Sequence, residues 1–144
     1  MSTANDASQA HLVESLAAVA FAAMAALTKV GAAHDLSLTQ LRMIGILRDR
    51  RMTITQLADA LGLDRSSVSG LVDRTTTRGL VQREPNPDDA RSVQVTLSPQ
   101  GAEAFTVGAA ETAGLLSSLT DALTASEIRR LTELLDRMIE HRGL

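Results

Sequence analysis

The sequence predicts a mainly α-helical chain carrying one small β-hairpin. Three observations predict it. The 144 residues are 44% hydrophobic but include only two aromatic side chains, Phe21 and Phe105, so the apolar surface is Ala, Leu, Val, Ile and Met. That composition favours helices over a β-sandwich. Apolar residues recur at helical spacing along most of the chain, and only between Gly79 and Ser98 does the period change to two.

Taken in order, residues 1 to about 8 are small and polar and are expected to form a loose tail. Helical spacing starts near Leu12 and runs through Leu16, Val19, Ala20, Ala23, Met24 and Leu27, with Gly31 weakening the last turn. The alanines would let another helix approach closely. Leu16 to Leu27 is a run of twelve apolar residues with no Lys or Arg before it, and Lys29 follows at once. It lacks the basic start of a signal peptide and is too short to span a bilayer, so a buried helix and no membrane partner are expected.

Three capping boxes then mark helix starts. Ser37-x-x-Gln40 precedes Leu41, Ile44 and Leu47; Thr53-x-x-Gln56 precedes Leu57, Ala58 and Leu61; Thr124-x-x-Glu127 precedes Ile128, Leu131, Leu134, Leu135 and Met138. In each, the hydroxyl accepts from a free backbone N–H and the Gln or Glu reaches back. Asp64 caps a further helix to about Arg78, stopped by Gly79, and Ser98-Pro99 starts another with proline at its first position. Between these, Leu80 to Glu84 and Val93 to Leu97 read as two strands, joined by a turn over Pro85 to Asp89.

Charge and composition narrow the function. The chain has no cysteine, which excludes disulfides, thiolate metal sites and thiol-based sensing. His11, His34 and His141 are far apart and form no ligand pair, so no metal or other cofactor is expected. No nucleophile elbow, phosphate-cradling glycine loop or paired-histidine motif points to an enzyme. Net charge is −3, but Arg48 to Arg91 holds eight arginines against seven acids, so the middle is the least acidic part. Arginine is the side chain best suited to forked contacts with phosphate and guanine.

That middle segment contains two short helices back to back, Ile54 to Leu61 and Arg65 onward, with Gly62 at the turn and small Ala58 where they cross. Leu57, Leu61, Leu63, Val68, Leu71 and Val72 can share one core. The second helix then offers Arg65, Ser66, Ser67, Ser69 and Arg74 outward, side chains suited to close approach into a major groove. Thr53, Thr55 and Gln56, at the start of the first helix, join this candidate DNA-contacting set. A helical hairpin with a solvated polar face would show the same pattern. The β-hairpin that follows carries Arg91, placed to enter an adjacent minor groove, and Asp89 two residues before it is expected to hold the guanidinium in direction. A solvated turn with a weak ion pair is the plain alternative.

From Leu38-Thr39-Gln40-Leu41 to Ser98-Pro99-Gln100-Gly101 the chain resembles the MarR family of bacterial regulators. The residues that carry the resemblance are Leu63-Asp-Arg-Ser-Ser-Val-Ser69, Leu71-Val-Asp-Arg74, Arg78-Gly-Leu-Val81, and the wing Asp89-x-Arg91-x-x-x-Val95-x-Leu97-Ser98, close to the family's D-x-R-x-x-x-V-x-L-T. The resemblance implies a winged helix-turn-helix at residues 37–97. It also implies a dimerisation base built from the segments 1–36 and 98–144, whose helices run roughly Leu12 to Ala33 and Ser98 to Arg142. It implies a cytoplasmic homodimer that binds a near-palindromic double-stranded operator, as a repressor released by a small phenolic or anionic effector. Phe21, Met24, His34, Arg42, Met43 and Phe105 are the candidate effector contacts. Two departures stand out. Gly70 replaces a basic or longer polar side chain of many relatives, and Thr75-Thr76-Thr77 replaces a leucine-and-charged helix end, so the last turn is expected to fray or adapt on DNA. A helical dimeric scaffold or ligand-binding protein with weakened DNA binding is the alternative that Gly70 suggests, against which Arg65, Arg74 and Arg91 speak.

Overall fold

The computed structural model describes residues 2–142, with side-chain surroundings for 6–141. In order the chain forms α1 (Ser2–Ala33), α2 (Leu38–Leu47), β1 (Met52–Thr53), α3 (Ile54–Leu61), α4 (Arg65–Thr77), β2 (Val81–Asn86), β3 (Asp89–Leu97), α5 (Pro99–Thr120) and α6 (Ala125–Arg142). The predicted mainly helical architecture is present, and every expected capping residue sits at a helix start.

Four details differ from the sequence reading. The expected loose tail is part of α1 from Ser2 onward, with Met1 outside the described residues. No Gly or Pro precedes Gly31, so nothing local stops the helix. As a result α1 is long and apolar enough to cross a membrane by length and composition, which the twelve-residue run alone was not. The strands are longer than expected: β2 reaches Asn86 and β3 begins at Asp89, which leaves a turn of two residues. Pro85 is tolerated because β2 is an edge strand, in the order β1-β3-β2, with a register shift between Pro85 and Asn86. Finally, β1 pairs Met52 with Val95 and Thr53 with Gln94, a third strand too short to show any period.

The main core lies between α2, α3, α4 and the sheet. Met43, Leu57, Val68, Val72 and Val95 are fully buried there, each contributing about 1.5–3 kcal/mol by burial. Leu63, expected in this core, is 40% exposed. It follows Gly62, whose φ of 69° reverses the chain while its N–H bonds to Ala58 and Asp59 carbonyls. That reversal leaves Leu63 on the outside.

The threonine run at the end of α4 behaves differently from its propensity. Thr75 is fully buried; its hydroxyl donates to the Leu71 carbonyl at 2.8 Å and accepts from Gln40 Nε2 at 3.2 Å. Gln40 meanwhile completes the α2 capping box, accepting from the Ser37 N–H at 3.0 Å. One buried amide therefore caps α2 and ties it to α4. Leaving either partner unsatisfied costs about 1–3 kcal/mol, and this tertiary bond outweighs the weak helix preference of threonine.

The far end of the chain is packed sparsely. Among the described residues α6 makes only marginal contact with any other element. Ile128, Leu131, Leu135, Met138 and Ile139 on α6 are exposed, as are Leu12, Val13, Val19, Phe21 and Met24 on α1.

Candidate nucleic-acid interface

Helix α4 separates its two faces cleanly. Val68, Leu71, Val72 and Thr75 are buried, while Arg65, Ser66, Ser67 and Arg74 are exposed and Ser69 is half-buried. This follows from the spacing of the four buried residues, which repeats every three to four positions. Asp64 starts the helix: its carboxylate accepts from the Ser67 N–H at 2.8 Å and the Ser67 hydroxyl at 2.6 Å. Those bonds, the side-chain one first, hold the Asp64 carboxyl below its ordinary value of 3.8. Because the folded value is depressed, the capping contribution is present above the ordinary aspartate range and is lost as pH falls through the depressed value. Asp64→Asn is therefore expected to melt below wild type at neutral pH, with the difference closing below about pH 4. Melting curves of both proteins across that range check it; a constant difference would show that the carboxylate charge is irrelevant to the cap.

Ion pairs join the wing to its surroundings. Arg83 on β2 meets Asp73 on α4 at 2.8 Å, and Arg51 meets Glu84 at 3.0 Å. Both were missed from sequence, because partners separated by ten or thirty-three positions leave no local pattern. Arg78 donates to the carbonyls of His34, at 2.8 Å, and Asp35, so its guanidinium closes the end of α1. Gly70 carries no side chain where a Cβ would lie 3.3 Å from an Arg74 guanidinium nitrogen, so Arg74 folds back over the gap.

At the wing tip the structure corrects one expectation. Asp89 accepts from the backbone N–H of Arg91 at 3.0 Å; among the described residues no ion pair joins its carboxylate to the Arg91 guanidinium. Asp89 thus shapes the turn, with help from Asn86, which donates to Ser92 Oγ at 2.8 Å and accepts from the Asp88 N–H at 3.0 Å. The Arg91 side chain is exposed. Thr53 and Gln56 form the capping box of α3, and Thr55 is half-buried beside them.

The six candidate effector contacts do not converge. Met43 is fully buried in the main core, while Phe21 is 72% exposed and Met24 is exposed on α1. Arg42 donates to the Ala60 carbonyl at 3.0 Å and the Leu61 carbonyl at 3.3 Å, closing the end of α3. His34 bonds Glu111 on α5 at 2.8 Å. Of the six, Phe105 alone lines the cleft between α1, α2 and α5, a cavity of about 380 Å³. Among the described residues no group of three or more acidic or histidine side chains is placed to hold a metal ion.

A model of the MarR family matches residues 34–92. The multiple antibiotic resistance protein MarR of Escherichia coli K12 is 32% identical over 108 residues, covering 73% of this chain and 74% of that protein. The MarR of Salmonella typhimurium gives the same figures. Among solved structures, apo E. coli MarR superposes with a TM-score of 0.72 at 27% identity, covering 89% of this chain and 96% of that one. An E. coli MarR mutant complexed with operator DNA superposes with a TM-score of 0.67 at 27% identity, covering 89% and 93%.

Proposed function

The chain belongs to the MarR family, and from that premise we propose that it is a cytoplasmic homodimeric repressor that grips a near-palindromic operator and is released by a small molecule. The observation that carries this reading is the two-faced α4 held against its wing. Its buried face is anchored by Val68, Val72 and Thr75, and the opposite face offers Arg65, Ser66, Ser67, Ser69 and Arg74. In this reading α4 enters the major groove, where arginine meets guanine and the short hydroxyls permit close approach. Arg91 on the wing enters the neighbouring minor groove. Thr53, Thr55 and Gln56 meet backbone phosphate at the start of α3. Residues 37–97 are the DNA-binding unit, and 1–36 and 98–144 form the base.

The dimer is supported by the apolar faces of α1 and α6, which one chain leaves uncovered. A membrane span is disfavoured for α1 by its packing on α5 and α2, where Ala26 and Val30 are buried. A second copy binding through helical faces covers the rest without a bilayer. Two recognition helices about one DNA turn apart then read two half-sites. The cleft between α1, α2 and α5 lies where the base meets the DNA-binding unit, so a ligand there can shift the spacing of the two α4 helices.

Selection of genomic fragments on the purified protein at two salt concentrations tests the reading. A short near-palindrome enriched at both is expected, with affinity falling steeply as salt rises. No enrichment above background would overturn it in favour of a scaffold that no longer binds DNA.

A further inference from the structure

We infer that the cleft between α1, α2 and α5 takes an uncharged apolar ring molecule and rejects anions. The inference rests on the effector reading above and narrows it to one ligand chemistry. The walls are Leu27 and Val30 from α1, Ile44 from α2, and Phe105 and Leu116 from α5. Thr112 is the one lining side chain with a polar atom, and its hydroxyl already donates to the Gly108 carbonyl at 2.7 Å. The cavity of about 380 Å³ is within the range that holds a small aromatic molecule.

Of the charged groups near the cleft, Lys29 lines the neighbouring groove beside Glu111 and the others are engaged elsewhere. His34 and Glu111 bond each other at 2.8 Å, and Arg42 is turned onto the α3 carbonyls. Arg48 pairs with Asp49 and lies over the Phe105 ring at 5.4 Å from its centroid, outside the lining. A carboxylate or phenolate entering the cleft would shed its water and find no cation or free N–H among the lining side chains in return. A neutral ring has no such penalty and gains contact with the hydrocarbon walls.

Two matched pairs test this on the DNA-free protein by calorimetry: indole against indoleacetate, and methyl benzoate against benzoate. The neutral member of each pair is expected to bind more tightly, by about tenfold or more. Thr112→Arg, which places a cation in the wall, is expected to reverse the order. Ala109 also lines the cleft, and Ala109→Leu, which narrows it, is expected to abolish neutral binding while the variant still binds operator. The anion binding as tightly as its neutral partner, or no saturable binding by either neutral ring, would overturn the inference. Release of the selected operator by the neutral ring is measured separately. Binding without release would leave the ligand chemistry standing and sink the effector reading.

Discussion

Gly101→Ala is expected to be the most damaging single methyl in the molecule. A Cβ at Gly101 would lie 1.8 Å from the Leu80 carbonyl oxygen and 2.8 Å from its carbon. Both obstacles are main chain, so no rotamer change relieves them. The contact exists because the first turn of α5 sits on the start of β2. Ser98 caps that turn by accepting from the Gly101 N–H at 2.9 Å, donates its own hydroxyl to Gly79, and its N–H bonds the Leu80 carbonyl at 3.1 Å. Overpacking of a tight site costs about 1–3 kcal/mol, and a backbone obstacle belongs at or above the top of that range. Against a total stability of about 5–15 kcal/mol, the expected result is a melting temperature lower by about 10 °C. Gly114→Ala on the same helix is the control, because a Cβ there meets nothing within 4 Å. That substitution is expected to stabilise, by up to about 1 kcal/mol. Equal melting temperatures for the two variants would refute the close approach.

Arg91→Ala is expected to reduce operator affinity about ten- to a hundredfold, the loss of one forked contact. The side chain is exposed at the wing, and its backbone is held by Asp89, so the variant should fold and associate normally. The slope of log affinity against log salt should fall by about one. Asp89→Ala should give a smaller loss with an unchanged salt slope, since it loosens the turn and removes no contact with DNA. Fluorescence anisotropy on the selected operator measures both. Wild-type affinity in Arg91→Ala would remove the wing from the interface.

The parts of this structure that were legible in the sequence are those set by neighbours in the chain. The capping residues Ser37, Thr53, Asp64, Ser98 and Thr124 each act within three positions. The two-residue period of Val93, Val95 and Leu97 marks a strand for the same reason. What could not be read depends on distant partners. Gln40 reads as the end of a capping box, and nothing local announces its second bond to Thr75, thirty-five positions on. Asp89 and Arg91 read as an ion pair because their charges are opposite, but two residues apart at a turn the backbone N–H is the nearer donor. The candidate effector residues stand out in the sequence only by type. Type does not reveal that Arg42 closes α3 or that Met43 fills the core.

The sparse packing of α6 has a consequence for how much of this regulator a cell needs. A helix whose apolar face is covered by a second copy is held in place by mass action, so its stability rises with protein concentration. In the proposed dimer, low abundance would cost operator occupancy twice over, once through fewer molecules and again through dissociation into subunits that each hold one half-site. Repression should then respond to expression level more steeply than simple saturation, and the gene dose would act as part of the control.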